Sequence, residues 1–597
     1  MILQSLVAYY EALARKGVVQ RPGWAFVRVS YKVILRPDGT IRDIVSVKKT
    51  EKRGKKEVLV PWEIEAPEQV VRSSGVRANF LCDTAAYLLG YPSGDNKAAQ
   101  KWEAARQLHL QILTGVDSPW AILLRQFFET HIPEDCGRLE LSKETAEDLE
   151  KGAVLTFVDE SDTYAVGDSA IGSAWDKQYA GDPDAVQGRC LVTGETDEIA
   201  VLHNKIKGVA GAQAVGANLV GFNAPAYESY GKTDAQGLNA PVGRYAMYAY
   251  TTALNHLLGA DEARRQRVRI GDTTVVWWTL DDDREATEQF GTMTFGSFGS
   301  FGAAAEDDEA TIADVMRKLR NADAIGEGND RLAKPFCILG ISPNAARLSV
   351  RFFYRDTFGA FVRSVQAHYD RLAIDKPDYE KPYLPLGELL LETVSKNVRE
   401  REKSISSLLA GAVYAAIVND WRYPEMLYEQ ILCRIRAEHD VRARKAAIIK
   451  AYLLKNKEID KEVLGMSLNE ECRNQAYVLG RLFAELENAQ YQANGVSMLK
   501  ERYLSSAATT PGLVFPSMLQ MASYHIAKIK KDDGKPGAGA AIEGRIGALI
   551  DMLEGGKPFP VRLNNTEQGL FLEGYYQQVQ KNFRTAKENK QNKEELA

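Results

Sequence analysis

The run Thr274-Val-Val-Trp-Trp-Thr-Leu280 is apolar at both its odd and its even positions. A strand with one face in water alternates and a strand covered on both faces does not, so these seven residues predict a central strand of a sheet. Working outward, Arg347 to Tyr354 repeats a strand pattern. Phe358, Phe361, Val365, Tyr369 and Leu372 then recur at helical spacing, which predicts a helix packed after that strand. Upstream, residues 153–158 and 189–193 read as strands and 241–258, PVGRYAMYAYTTALNHLL, as a helix. From about residue 385 the pattern changes. Leu386–Lys396, Ile405–Val418, Pro424–Ala437, Arg442–Leu454, Leu468–Gln490, Pro516–Lys530, Ala541–Leu553 and Gln568–Asn589 all carry helical periodicity with short breakers between several of them, which predicts a helical bundle.

At the other end, MILQSLVAYYEALARKG opens as an amphipathic helix. Residues 24–47 then alternate, with Val27, Val29, Tyr31, Val33 and Leu35 on one face. Pro37-Asp38-Gly39 supplies the turn of a hairpin. The expected class is therefore α+β: a mixed α/β N-terminal and middle body with β-hairpins, followed by a C-terminal helical bundle. The expected regions are 1–150, 151–384 and 385–597. A chain of 597 residues has material for several cores. Hydrophobic content of 45% and charged content of 26% are those of a soluble globular protein, and a net charge of −5 excludes coating of nucleic acid by bulk charge. Six cysteines lie far apart with no C-x-x-C pair, which gives no zinc signature and suits a reducing compartment. The first residues lack a basic signal-peptide region and no apolar run is long enough to span a membrane, so a cytoplasmic location is expected.

The richest stretch for ligand chemistry is 201–239, VLHNKIKGVAGAQAVGANLVGFNAPAYESYGKTDAQGLN. Glycines allow close approach of backbone N–H groups, carboxamides read base edges, and lysines neutralise phosphates. Lys205, Lys207, Gln213, Asn218, Asn223 and Lys232 are the candidate nucleic-acid contacts. The same residues also suit a glycine-rich loop system covering a sheet, and composition leaves both readings open. Gly231-Lys232-Thr233 is no triphosphate loop, because the position that requires a glycine is Ala226. Gly208-x-x-Gly211 lacks the spacing of a dinucleotide fingerprint. No cofactor is expected.

Three further candidates are local basic patches. Residues 28–56 hold ten Lys/Arg against three acids, and Lys48, Lys49, Lys52 and Arg53 are the candidate backbone contacts; a solvated hairpin tip is the plainer reading. Arg72, Ser73, Ser74 and Asn79 lie in a loop entering an expected helix at 83–90, with Asp83 as its N-cap. Such a loop can hold phosphate, or can simply be a capped loop. Residues 431–457 hold eight Lys/Arg against two acids, and Arg434, Arg442 and Lys445 fall near one face of an assumed continuous helix.

Bond-making groups are scarce. Asp281-Asp282-Asp283 after the Trp-Trp strand suggests a carboxylate-dependent metal nuclease as the competing function, although no companion motif completes it. The seven histidines are dispersed, and His203 reads as a structural hydrogen-bonder. There is no G-x-S-x-G. The residues argue for binding and against catalysis, and no metal site is expected.

Several long blocks resemble one family. MILQSLVAYYEAL, SSGVRANFLCDTAAYLLGY, NKIKGVAGAQAVGANLVGFNAPAYESYGK, NAPVGRYAMYAYTTALNHLL, IGDTTVVWW, ILGISPNAARLSVRFFYRD and YPEMLYEQILCRIRAE are similar to the large subunit of the subtype I-C CRISPR surveillance complex, Cascade. The resemblance runs from residue 1 to about 580. It departs near Ala214, Val215, Asn218 and Gly221, where the family commonly has serines, so hydroxyl contacts are not expected there. The resemblance implies a non-enzymatic subunit of a prokaryotic complex that holds a CRISPR RNA. Such a subunit recognises the protospacer-adjacent motif on double-stranded DNA, helps open it, stabilises the R-loop and recruits a helicase-nuclease. Its partners would be the backbone, crRNA-end and small subunits. The resemblance also implies that 466–597 is made separately as a small subunit from an internal start at Met466. A scaffold with no nucleic-acid contact is the third reading; it would lack salt-sensitive DNA affinity.

Overall fold

The computed structural model describes the chain except residues 54–55, 71–74, 93–95, 139–140, 180–184, 223, 229–231, 233–234, 260–265, 296–311, 313–315, 318–329, 382, 533–536, 554 and 596–597. The fold is α+β. Two compact units form: Met1–Lys205 with Val220–His256, and Ile206–Leu219 with Leu257–Ala597.

The first unit opens with α1 (Ile2–Arg15), whose Leu6, Tyr9, Tyr10 and Leu13 are buried. The alternating run that follows divides at Ser30 into β1 (Trp24–Val29) and β2 (Tyr31–Leu35). Val27, Val29, Tyr31, Val33 and Leu35 are all buried, as their spacing predicts. Gly39, at φ +78°, and the Asp38 carboxylate, which accepts from Thr40 N at 3.0 Å, form the turn into β3 (Ile41–Ser46). A second hairpin, β4 (Lys49–Arg53) with β5 (Lys56–Val60), precedes β6 (Trp62–Pro67), which returns antiparallel to β1. The main sheet has the order β3-β2-β8-β7, with β7 at Asp83–Thr84 and β8 at Val154–Asp159; β2 and β8 run parallel. Helices α2 (Asn96–Leu113) and α3 (Pro119–Thr130) carry Trp102, Phe127 and Phe128 into its core. The strand expected at 189–193 is displaced. The observed pair is β9 (Gln187–Arg189) and β10 (Thr196–Glu198), with Cys190–Gly194 as the turn between them. Helix α4 (Arg244–Leu257) matches the expected 241–258.

The second unit holds the strand with two apolar faces. The sheet order is β11 (Arg267–Ile270), β12 (Thr273–Thr279), β13 (Pro335–Asn344), β14 (Arg347–Thr357), each pair antiparallel. All seven residues of β12 are buried, and both Trp277 and Trp278 have no exposed surface, so the strand is interior with both faces covered. A bulge between Gly340 and Ile341 reaims β14. At Gly340 a Cβ would lie 2.5 Å from the Phe352 ring, so only glycine lets β14 lie this close. Helix α5 (Arg284–Phe295) follows β12, and α6 (Phe358–Leu372) follows β14.

The bundle helices are α7 (Ser407–Val418), α8 (Glu425–Glu438), α9 (Ala443–Asn456), α10 (Gln475–Asn494), α11 (Leu499–Thr509), α12 (Pro511–Lys530), α13 (Ala538–Asp551) and α14 (Asn565–Glu595). Only α11 is absent from the sequence expectation: between Leu499 and Leu504 and the buried Ala507 and Ala508 lie charged residues and serines that blur its period. One apolar core runs from Ile270 through α5–α14 to Tyr576, so the expected boundary at 384/385 falls inside a single packed unit. Helices α10 and α14 meet backbone to backbone. A Cβ on Gly480 would lie 1.9 Å from Phe571 O, and one on Gly574 2.1 Å from Tyr477 O. The polar C-terminal segment from Lys581 continues α14 and is exposed from Phe583 to Glu588. Arg584 pairs with Asp375 at 2.8 Å and Lys587 with Asp378 at 3.1 Å. Among the described residues no helix is long and apolar enough to cross a membrane.

Candidate nucleic-acid interface

The glycine-rich stretch builds a closed loop in the second unit. Ile206 and Ala217 exchange two N–H···O bonds of 2.9 Å, tying its ends together. Between them lie two tight turns, closed by Ala212 N to Val209 O at 3.1 Å and Gly216 N to Gln213 O at 2.9 Å. Gly208, Gly211 and Gly216 take φ of +82°, +83° and +93°, which L side chains rarely adopt. The loop hangs on the edge of β14, where Asn218 N donates to Ala346 O at 3.0 Å and accepts, through its own carbonyl, Leu348 N at 2.9 Å. This frame displays Lys207 and Gln213 to solvent and leaves Asn218 partly exposed. The structure therefore brings Lys207, Gln213 and Asn218 onto one framework.

Lys205 and Lys232 belong to the first unit. Both are exposed; Lys232 Nζ donates to Leu238 O at 3.0 Å, while Lys205 accepts the Asn255 amide at its carbonyl. Asn223 lies outside the described residues. His203 is structural, as expected: its Nδ1 meets the Tyr250 hydroxyl at 2.6 Å, and burial lowers its pKa to about 4, so the ring is neutral.

In the basic hairpin the register opposes Lys49 to Val60, Lys52 to Glu57 and Arg53 to Lys56. Lys49 is exposed, its ammonium 4.9 Å above the Trp62 ring. The side chains of Lys52 and Arg53 lie outside the described residues. Lys48 is a correction. It precedes the hairpin, is mostly covered, and pairs with Asp148, which also accepts from Tyr31 Oη at 2.8 Å. The Lys48 ammonium, helped by the Tyr31 hydroxyl, holds the Asp148 carboxyl below its ordinary pKa. A half-buried lysine with its own carboxylate is a fold contact, not a free phosphate contact.

Asn79 is a second correction. It is 5% exposed, and its Oδ1 accepts Val70 N at 2.9 Å, while its N–H donates to Asp83 Oδ2 at 2.8 Å. Asn79 thus closes the base of the 70–79 loop, and its amide oxygen is not available to a base edge. Asp83 caps no helix; its other oxygen accepts Thr84 N, and the helix expected at 83–90 shrinks to Ala85–Leu88. Leu81 is left-handed, φ +62°, held by its N–H bond of 2.9 Å to His109 Nε2. Arg72, Ser73 and Ser74 lie outside the described residues, but Arg77 in the same loop is exposed; it sits five residues from Arg72 in the very motif the sequence flagged.

The basic stripe at 431–457 dissolves. His439 is left-handed at φ +49° and ends α8, so Arg434 lies on α8, Arg442 before α9 and Lys445 within α9. Lys445 is 1% exposed and bonded to Glu438 at 2.6 Å, and Arg442 pairs with Asp440 at 2.9 Å. The assumption of one continuous helix fails at that left-handed residue, in the break between Ala437 and Arg442 that the helical periodicity also places there.

The three aspartates after β12 are also occupied. Asp283 bonds Lys334 at 2.7 Å and Arg331 at 3.2 Å and caps α5 through Ala286 N; Asp281 bonds Lys334 at 2.6 Å. Against the upward push of burial, the Lys334 hydrogen bond holds both carboxyls below the usual range. The cluster joins a helix cap to an ion-pair network and lends the nuclease reading no support.

Residues 6–583 match the family model described as CRISPR-associated protein (Cas_Csd1). A search among curated proteins gave no match.

Proposed function

The chain belongs to this CRISPR-associated family, and on that premise we propose that it is the non-catalytic large subunit of a type I-C RNA-guided surveillance complex. In this reading it recognises the protospacer-adjacent motif on duplex DNA, promotes unwinding, stabilises the R-loop and recruits the helicase-nuclease. The observation that carries the reading is the loop 206–219, closed at both ends, which presents a carboxamide and an ammonium on left-handed glycines. Guide pairing reads the long sequence, while a protein need read only a short motif and the backbone. A rigid loop suits that task because little of its freedom remains to be lost on binding. Lys205, Lys207 and Lys49 would neutralise phosphates, and Gln213 and Asn218 would meet base edges. The partners are a CRISPR RNA, the target duplex, and the backbone, crRNA-end and small subunits, in the prokaryotic cytoplasm.

The test is Gln213→Ala in the assembled complex. A loss of about 1–3 kcal/mol on DNA with the correct motif and little on a scrambled one supports the reading. Equal losses on both would remove Gln213 as a reader. The separate small subunit is tested by Met466→Leu in the full gene, which should abolish a short product while leaving the full chain.

A further inference from the structure

Helix α14 carries a carboxylate where none is expected. Glu573 has no exposed surface, and neither of its side-chain oxygens accepts a hydrogen bond among the described residues. Across the seam on α9 stands Lys450, 3% exposed, whose ammonium donates to Ala373 O. The seam around them is close-fitting. One turn before Glu573, a Cβ on Gly569 would lie 2.1 Å from Tyr428 Oη and 3.2 Å from Ile449 Cγ2. Tyr428 Oη donates to Asn565 O at 2.6 Å, and Tyr576 Oη to Asp375 O at 2.9 Å.

A buried ion without hydrogen bonds is unfavourable by more than a lysine alone offsets, so such a group sheds its charge or the seam opens. The groups acting on Glu573 are Lys450 on α9, Tyr428 on α8, Tyr477 on α10 and Tyr576 on α14. Lys461 and Asp375 act on the Lys450 end. Among these only Lys450 favours the ionised carboxylate.

We propose that Glu573 and Lys450 form a proton-operated latch on the α9–α14 seam, closed when the carboxyl is protonated and loosened when it ionises. Burial raises the Glu573 carboxyl well above the carboxylate range and lowers the Lys450 ammonium. The signs follow. The closed seam holds the Glu573 proton more tightly than the open one, so closure weakens as pH rises from the ordinary carboxylate range to the raised value. Lys450 acts in the opposite direction, at the alkaline end, where closure strengthens with pH. Across neutral pH the carboxyl governs the slope.

The experiment uses the full chain with Ile449→Cys as a reporter buried in the seam. Alkylation by iodoacetamide is mapped by mass spectrometry, with the fully buried native Cys337 of β13 as the control for global opening. The ratio of the reporter's rate in the chain with native Glu573 to its rate in the Glu573→Gln chain should grow roughly tenfold or more between about pH 6 and about pH 8.5; one pH unit of linkage gives that factor. Lys450→Met should steepen the rise with pH, because Glu573 then loses its only cation. A ratio that does not change with pH, or Cys337 changing in step with the reporter, would overturn the latch.

Discussion

Gly208→Ala separates a shaped loop from a merely flexible one. Gly208 sits at φ +82°, and a Cβ there would lie 2.7 Å from Leu258 O, a backbone atom that cannot rotate away. Two penalties therefore add. The left-handed conformation alone costs an L-residue about 1–2 kcal/mol. Forcing the loop off the Leu258 carbonyl adds about 1–3 kcal/mol, the range for overpacking in a close-fitting site. Gly495→Ala isolates the first penalty, since Gly495 is left-handed at φ +75° in the same unit with nothing within 4 Å of its Cβ. The assay is urea unfolding followed by tryptophan fluorescence, with Trp277 and Trp278 buried in this unit as reporters. Gly208→Ala should be the less stable of the two by at least about 1 kcal/mol. In the assembled complex it should also weaken motif-bearing DNA, while Gly495→Ala should not. Equal stabilities for the two variants would refute the close approach, and with it the argument that the loop is pinned.

Three further predictions follow from the same geometry. His109 accepts Leu81 N–H and is lowered by burial to about 4, so folding loses stability as pH falls from about 6.5 through 4, by up to about 3 kcal/mol; His109→Gln should flatten that acid limb in urea midpoints measured against pH. Lys445→Met removes the ammonium bonded to Glu438, which keeps Lys396 beside it, and should cost about 1–3 kcal/mol in the same unfolding assay, with the salt slope of DNA binding unchanged; a shallower slope would restore Lys445 as a phosphate contact. Replacing Lys49, Lys52, Arg53 and Lys56 by Ala should weaken duplex binding whatever its sequence and make the salt dependence shallower, and an unchanged slope would leave the hairpin a solubilising tip.

What the sequence made legible is what burial alone dictates. The two-faced strand at 274–280, the one-faced run from Val27 to Leu35 and most bundle helices follow from which residues must leave water, and periodicity records that directly. What it hid are decisions made by single backbone angles and by distant partners. The break between Ala437 and Arg442 was legible, but the left-handed turn at His439 that takes Arg434 and Lys445 off one helix face was not. Asp148 lies a hundred residues from Lys48, and no local pattern announces that the lysine is already paired. Asn79 looks like a ligand amide until Val70 N is seen on its oxygen. These corrections share a direction, because a polar residue counted as free from its neighbours in sequence was claimed by a neighbour in space.

That direction sharpens the site. Polar groups already satisfied within the fold gain little from a new partner, because binding only exchanges one hydrogen bond for another. Among the described residues the candidates Lys49, Lys205, Lys207, Gln213 and Lys232 are exposed and Asn218 is partly exposed, and all but Lys49 lie on the glycine-rich stretch itself. The groups removed, Lys48, Asn79 and Lys445, hold other elements in place. If the glycine loop reads DNA, substitutions at Gln213 and Asn218 should change motif preference at constant stability, and those at Lys48, Asn79 and Lys445 should change stability at constant preference. Loss of preference from Lys445→Met at unchanged urea midpoint would break that division.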